Sequence, residues 1–342
     1  MCRSILAAII LALASPLPAF QIQEETVFEV DKKAGALRII STADIDLFAP
    51  IIKSFQVQNP MIEVHYIGVT STEIMTAITQ ENEAFDVVIS SAMDLQIKLA
   101  NDGYAAPHFS AASDRVPGWG KWRDSVFAFT QEHAAIVLSL DAFQGLDLPK
   151  TRQALITILR ENPDRFRNRV GTYDIRESGL GYLFATQDAR TSEVFWRLSE
   201  VFGQVGTQLY CCSSEMIDDV SAGDIAVAYN VLGSYATARA DIADKIHIIQ
   251  PEDFTTLMMR SALLPVNAPN TEGAGLFMDH LLTLAWSAPR SADFPFPNGT
   301  TDETANSAKL RPIRMGPGLL VFLDRFKRDQ FLNAWEATIL QN

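Results

Sequence analysis

Three strand–helix units that follow one another near the start of the chain constrain its fold more than any other feature of the sequence. Apolar segments rich in β-branched residues lie at 37–40, 62–69 and 86–91, and each is followed by apolar residues at helical spacing. Strands that alternate with helices in this way pair in parallel and carry the helices on the faces of the sheet. The sequence therefore predicts an α/β domain.

A second α/β block follows an extended apolar segment at 126–140, which we interpret as a crossing between two domains. Segment 257–266 is extended and apolar as well, so it can cross back. We therefore predict a two-lobed α/β protein in which each lobe is a mostly parallel sheet flanked by helices and crossing strands form the hinge. Residues 36–135 form the first part of lobe 1, residues 136–255 form lobe 2, and residues 256–342 return to lobe 1 with the C-terminal helices. Such lobes enclose a cleft that can close on a solute.

The first 19 residues have the pattern of a secretory signal peptide. A positive charge at Arg3 is followed by an apolar run at 5–14 and by small residues. As a helix, this run reaches about 15 Å, which is half of the hydrocarbon core of a bilayer. We expect cleavage after Ala19, with Ala14 as an alternative, and export to the periplasm.

The charge of the chain argues against nucleic-acid binding. Its 41 acidic and 28 basic residues give a net charge of −13, whereas binding to a phosphate backbone needs a concentrated basic face. Sequence motifs of hydrolases, P-loop nucleotide-binding proteins and zinc proteases are absent. We therefore expect a protein that is not an enzyme, with no catalytic residues, cofactor or bound metal.

Hydroxyl groups recur where the predicted strands give way to helices. Ser41 and Thr42, Ser71, Ser91 and Ser178 all lie at such junctions. Ligands of parallel α/β sheets bind outside the carboxyl ends of the strands, where the N-termini of helices favour anions. The alternative is that each hydroxyl only caps its own helix.

One arginine follows the predicted strand at 170–173 and precedes a glycine-rich helix start. The guanidinium of Arg176 could bind a carboxylate or a phosphate with two parallel hydrogen bonds. A surface ion pair with Asp174 or Glu177 is the alternative interpretation.

The two cysteines that remain after signal cleavage, Cys211 and Cys212, are adjacent in the sequence. An oxidising compartment favours a disulfide between them, although neighbours can close only a small ring. Two partly buried, reduced side chains are the other interpretation.

The segments 41–55, 86–91, 101–105 and 228–236 resemble those of bacterial extracellular solute-binding proteins of ABC transport systems. The resemblance is to the branch with ferric-iron, phosphorylated-sugar and phosphoglycerate-type proteins, and it implies a type II periplasmic binding fold. Its implied partners are a small anionic solute and either an ABC permease or a membrane sensor kinase, with a monomeric protein.

One departure from that family bears on the ligand. Ferric-binding relatives hold iron with two adjacent tyrosines, whereas Tyr229 and Tyr235 are separated here and Asn230 and Ser234 lie between them. Iron is therefore disfavoured. The sequence predicts a transport protein for an organic or phosphorylated anion; a regulatory protein acting on a histidine kinase is the alternative, followed by a ferric-ion-binding protein or an exported enzyme. The predicted ligand residues are Ser41, Thr42, Ser71, Ser91, Arg176, Ser178, Gly179, Asn230 and Tyr235.

Overall fold

The computed structural model describes residues 20–287, 289, 291–296 and 309–341, and the predicted signal peptide lies outside these residues. Two mixed sheets, each flanked by helices, form two lobes. The elements of the first lobe are β1 (Glu24–Phe28), β2 (Gly35–Ser41), α1 (Ile45–Gln58), β3 (Ile62–Gly68), α2 (Ser71–Thr79), β4 (Val87–Ser90), α3 (Met93–Asn101), β5 (Ala105–Ala106), β6 (Lys121–Trp122) and β7 (Val126–Ala128), with short 3-10 helices at Ser113–Arg115 and Gly118–Gly120.

The second lobe begins with the longest strand of its sheet. Its elements are β8 (Glu132–Ser139), α4 (Arg152–Glu161), α5 (Pro163–Phe166), β9 (Val170–Tyr173), α6 (Gly179–Thr191), α7 (Val194–Gln204), β10 (Gln208–Tyr210), α8 (Ser213–Ala222), β11 (Val227–Leu232), α9 (Gly233–Ala238), a 3-10 helix at Ala240–Ile242, β12 (Ile246–Ile249) and β13 (Thr255–Met258). The remaining elements are β14 (Ser261–Pro265), α10 (Thr271–Trp286), β15 (Leu310–Pro312), a 3-10 helix at Pro317–Leu323 and α11 (Arg325–Ile339).

Each sheet combines parallel and antiparallel strands. The first sheet has the order β1-β3-β2-β4-β14-β7-β6, with β5 beside β14, and its parallel part is β3-β2-β4. The second has the order β10-β9-β11-β8-β13-β15, with β12 beside β8, and its parallel parts are β10-β9-β11 and β13-β15. The central strand β4 is buried along its whole length, as expected where helices cover both faces of a parallel sheet. Helix α1 packs with Phe48, Ile51, Ile52 and Phe55, which share one face.

The chain crosses between the sheets at residues 129–131 and 259–260, and again between α10 and β15. The first two positions differ from the predicted lobe boundaries, which lie after residues 135 and 255. Strand β14 and helix α10 return to the first lobe, but β15 pairs with β13 of the second sheet and α11 packs on α7. The apolar face of α11, which includes Phe331 and Trp335, is thereby buried against the second lobe rather than the first. The periodicity of the sequence shows that a helix has an apolar face, but it does not show which lobe covers that face.

Among the described residues, no helix is both long enough and apolar enough to cross a membrane.

Helix α3 carries a buried carboxyl group whose protonation we expect to affect stability. Burial raises the pKa of Asp94 from 3.8 to about 7, against hydrogen bonds from the backbone. A carboxyl group with a raised pKa in the folded state takes up a proton on folding between these two pH values, so the free energy of unfolding falls as the pH rises through this window.

We expect Asp94→Asn to raise the free energy of unfolding at pH 8 by about 1–3 kcal/mol, and this gain should disappear near pH 4. Urea denaturation of both proteins at several pH values measures it. Asp102→Asn is the matched control at the other end of α3, because Lys98 lowers the pKa of Asp102. A variant no more stable than the wild type at pH 8 would contradict the prediction.

Candidate functional site

A cavity between the two lobes lies where the central strands of both sheets end. It encloses about 470 Å³ of space, part of it open to solvent, and we call it the cleft cavity. Most of its lining residues lie at or just after the ends of β2, β3 and β4 in the first lobe and of β9, β10 and β11 in the second, and Gln23 lies just before β1. The lining residues are Gln23, Thr42, Asp44, Val69, Thr70, Ser71 and Ser91 from the first lobe, and Tyr173, Ser178, Leu180, Cys211, Cys212, Ser213, Ser214, Leu232 and Tyr235 from the second.

Four helices begin at the wall of the cleft cavity. The residues Asp44, Thr70, Ser178 and Cys212, which are the N-caps of α1, α2, α6 and α8, all line it. The first N–H groups of a helix have no acceptor within the helix, and the aligned peptide dipoles place partial positive charge there. This arrangement suits a negatively charged ligand group.

Two of the lining hydroxyls also cap their own helices. The hydroxyl of Thr70 accepts a hydrogen bond from the N–H of Glu73 at 3.3 Å, and that of Ser178 accepts one from the N–H of Gly181 at 3.2 Å. The capping alternative therefore applies to both. In contrast, Cys212 makes no capping hydrogen bond through its side chain. The first turn of α8 is thus not capped by its own N-cap residue.

Contacts between the lobes close the cleft around the cavity. The hydroxyl of Tyr235 lies 3.2 Å from a carboxylate oxygen of Asp44 and 3.3 Å from its N–H. The hydroxyl of Thr72 donates to the carbonyl of Glu177 at 2.8 Å. Since both bonds join residues of opposite lobes, the structure shows the lobes in contact.

A carboxylate of the cavity wall and a buried guanidinium lie near each other. Burial raises the pKa of Asp44, while the positive charge of Arg260 opposes this shift. Arg260 is fully buried between β13 and β14, and its Nε donates to Glu132 at 2.8 Å. Its guanidinium lies 5.1 Å from the centroid of the Tyr235 ring, and its two terminal nitrogens have no hydrogen-bond acceptor among the residues that the structure describes. The guanidinium of the buried Arg260–Glu132 ion pair therefore lies behind the wall that Tyr235 and Asp44 form.

The structure brings together most of the ligand residues that the sequence predicts. Thr42, Ser71, Ser91, Ser178 and Tyr235 line the cleft cavity. Thr42 and Ser91 contact each other through their hydroxyl oxygens at 3.2 Å, and the N–H of Ser91 donates to Thr42 at 3.0 Å. Their role in binding stays a prediction, but their common location follows from the topology of the sheets.

Two further predicted residues lie beside the cavity wall. Ser41 is buried, and its hydroxyl accepts a hydrogen bond from the N–H of Ala43 at 3.0 Å. Gly179 packs so closely on the first lobe that a Cβ atom there would lie 2.5 Å from the hydroxyl oxygen of Ser71. Gly179 thus belongs to the contact between the lobes.

The structure places Arg176 and Asn230 away from the lining of the cleft cavity. Nε and Nη2 of Arg176 donate to Asp174 at 2.8 and 2.5 Å, which is the ion pair that the sequence offered as the alternative. Asn230 has a φ of 63° at an irregularity of β11, and its amide donates to the buried carboxylate of Asp188 at 2.9 Å. The partners observed for these two side chains are structural ones within the protein.

Sequence reasoning missed several residues of the cavity wall. Cys211 and Cys212 form a disulfide there, and Ser213 and Ser214 follow at the start of α8. The sequence feature that could have identified them is the pair of serines directly after the cysteines, because serine and threonine pairs also mark the other strand–helix junctions. Asp44 and Gln23 gave no such signal, because an acidic or amide residue before a helix or strand is common on any surface.

A comparison with solved structures gives a match of substantial sequence identity. The substrate-binding protein of an ABC transporter from Agrobacterium tumefaciens is 32% identical, the match covers 93% of this chain and 98% of that one, and the TM-score is 0.83. No protein-family model matches the chain, and neither does any curated protein sequence.

Other solved structures share the fold at lower identity. The periplasmic binding protein AfuA from Actinobacillus pleuropneumoniae, with exogenous fructose-6-phosphate bound, is 15% identical, with coverage of 91% of this chain and 100% of that one and a TM-score of 0.71. Iron-bound HitA from Pseudomonas aeruginosa is 14% identical, with coverage of 89% and 99% and a TM-score of 0.63. These two likenesses show the type II periplasmic binding fold and nothing about the ligand.

Proposed function

Because the chain belongs to the family of substrate-binding proteins of ABC transporters, we propose that it captures a small organic or phosphorylated anion in the cleft cavity and delivers it to a membrane permease. The location proposed is the periplasm, reached through the signal peptide predicted at residues 1–19, and the working unit is a monomer. The protein binds its solute without chemical turnover.

The observation that carries this proposal is the convergence of four helix N-termini on one cavity. The starts of α1, α2, α6 and α8 meet there with the hydroxyls of both lobes. Backbone N–H groups and hydroxyls can donate several hydrogen bonds to a phosphate or carboxylate at once. Arg260 behind the wall is ion-paired with the buried carboxylate of Glu132, so the helix N-termini and the hydroxyls are the groups proposed to hold the anion.

The carboxylate of Asp44 indicates that the ligand carries a hydrogen-bond donor in addition to its anionic group. Among the described residues that line the cleft cavity, Asp44 is the one with an acidic side chain. A carboxylate accepts hydrogen bonds, so it fits a hydroxyl or an ammonium group of the ligand. The proposed ligand is therefore an anion that also carries such a donor.

The tyrosines of the cavity wall favour this ligand over ferric iron. The hydroxyl of Tyr235 lies 3.2 Å from a carboxylate oxygen of Asp44, and the hydroxyl of Tyr173 lies 2.5 Å from that of Ser213. Each phenol thus has a hydrogen-bond partner on a different element, and the two are not adjacent in the sequence. The sequence also has no adjacent tyrosine pair.

A thermal-shift screen of the mature protein tests the proposal. The panel contains fructose-6-phosphate and other phosphorylated sugars, phosphoglycerates, di- and tricarboxylates, and Fe(III). A ligand present at 100 times its dissociation constant stabilises the protein by about 2.7 kcal/mol, which raises the midpoint by several degrees. We expect a phosphorylated or carboxylate compound to do so. A shift with Fe(III) alone, or with no compound, would contradict the proposal.

A further inference from the structure

The disulfide between Cys211 and Cys212 lies at the junction of β10 and α8, in the wall of the cleft cavity. Both cysteines are half-buried, so a small reagent can reach the sulfurs. The third cysteine of the chain, Cys2, belongs to the predicted signal peptide. The mature protein is therefore expected to have this disulfide as its one redox-active pair.

The disulfide holds the backbone directly before the first turn of α8. Cys212 is the N-cap of this helix and makes no side-chain cap hydrogen bond, so the first N–H groups of α8 depend on another partner. Ser213, which follows, contacts Tyr173 at 2.5 Å and accepts from the N–H of Leu232 at 3.0 Å. The side chain of Ser214 lies near Asp44 of the opposite lobe. The bond between adjacent residues thus fixes a helix start that faces both the ligand space and the other lobe.

The disulfide also meets the first lobe directly. The side-chain nitrogen of Gln23 lies 3.7 Å from the sulfur of Cys211 and 3.6 Å from that of Cys212. Sulfur is a weak hydrogen-bond acceptor, so this contact adds little stability, but it does indicate the orientation of the disulfide. It shows that the two sulfurs face the first lobe when the lobes are in contact.

We propose that the Cys211–Cys212 disulfide positions the N-terminus of α8 for ligand binding and thereby makes the affinity of the cleft depend on redox state. This inference rests on the proposed function. A dithiol reductant attacks one sulfur, the disulfide bond breaks, and the second thiol of the reductant resolves the mixed disulfide. Two electrons and two protons pass to the cysteines, which become thiols, and the reductant becomes a disulfide. The freed backbone at 211–212 then no longer holds the first turn of α8 in place.

Two measurements on the mature protein test this inference. The first is hydrogen exchange of the amides of Ser213, Ser214 and Glu215 without ligand, before and after treatment with dithiothreitol; reduction is verified by mass. We expect faster exchange at these amides after reduction. The second is titration calorimetry with a ligand found in the screen. We expect about tenfold weaker binding after reduction, comparable to the loss of one hydrogen bond to a charged group, and recovery on reoxidation.

Variants separate the disulfide from general effects of the reductant. Cys211→Ser combined with Cys212→Ser should show the affinity of the reduced protein and no response to dithiothreitol. Gln23→Ala removes the contact from the first lobe but keeps the disulfide, so it should still respond. Unchanged exchange and unchanged affinity after complete reduction would overturn the inference. If no compound of the screen binds the oxidised protein, the proposed function fails, while the exchange measurement still decides whether the disulfide holds α8.

Discussion

Replacing Gly179 with valine should weaken ligand binding by about one to two orders of magnitude, while the unfolding midpoint of the ligand-free protein stays nearly unchanged. Gly179 is the first residue of α6 in the second lobe. A Cβ atom at this position would lie 2.5 Å from the hydroxyl oxygen of Ser71 and 2.8 Å from Cδ1 of Leu95, and both of these residues belong to the first lobe. The valine side chain therefore opposes contact between the lobes rather than the folding of either lobe.

The size of this effect follows from the cost of excess volume at a packed contact. Extra methyl groups in a well-packed region cost about 1–3 kcal/mol, and each 1.4 kcal/mol changes an affinity tenfold. When the lobes are apart, a side chain at position 179 is exposed to solvent, so the free-energy cost of the added methyl groups applies to the closed state alone. A ligand that binds between both lobes has to overcome this cost, because it stabilises closure only by its differential affinity for the closed state.

Titration calorimetry and small-angle X-ray scattering check the Gly179→Val prediction. Scattering should show that saturating ligand compacts the wild type but compacts the variant less. Gly118→Ala is the control, because a Cβ atom at Gly118 has no neighbour within 4 Å. Full affinity in the valine variant would mean that the lobes can bind ligand without the close approach of Gly179 to Ser71.

The positions of the candidate site residues were predictable where topology alone decides them. Thr42, Ser71 and Ser91 follow β2, β3 and β4 and meet at one edge of the sheet, because parallel strands bring their carboxyl ends together. The order of strand and helix patterns indicated this edge without any knowledge of side-chain direction. The same argument located Ser178 at the start of α6.

Residues whose role depends on side-chain direction could not be predicted in this way. Arg176 had a carboxylate two residues away, and the local ion pair with Asp174 formed. Asn230 points to Asp188 because β11 is irregular between Tyr229 and Val231. The alternation of inward and outward residues in a strand sequence does not reveal where a strand becomes irregular. The proximity of Asp44 to Tyr235 joins residues far apart in the chain, so no local pattern contained it.

The edge strand β1 shows a third limit of sequence reasoning. The sequence at 20–35 is rich in polar and acidic residues, yet Glu24–Phe28 pairs antiparallel with β3 at the edge of the first sheet. Most of this strand is exposed, so its sequence lacks the apolar alternation that predicts a strand. Because β1 is held at this edge, the side chain of Gln23, which immediately precedes it, lies within reach of the disulfide in the second lobe.

A second large effect is expected where the chain crosses between the lobes. Replacing Glu132 with glutamine, or Arg260 with methionine, should lower the free energy of unfolding by about 3–5 kcal/mol. Glu132 is the first residue of β8, Arg260 lies between β13 and β14, and both side chains are fully buried. Besides Arg260, the hydroxyls of Thr130 and Ser234 donate to the carboxylate of Glu132. Either single replacement leaves one charge buried without its partner.

Chemical denaturation of both single variants and of the double variant measures the coupling between the two charges. Burying two paired charges gains little over apolar residues, whereas removing one partner is costly. The double variant Glu132→Gln with Arg260→Met should therefore lose much less stability than the sum of the two single losses. Lys98→Met, which removes one partner of an exposed ion pair with Asp102, is the control and should cost less than about 1 kcal/mol. Additive losses in the double variant would mean that each side chain stabilises the crossing through separate contacts. The ion pair between Glu132 and Arg260 would then not be what joins the two crossing segments.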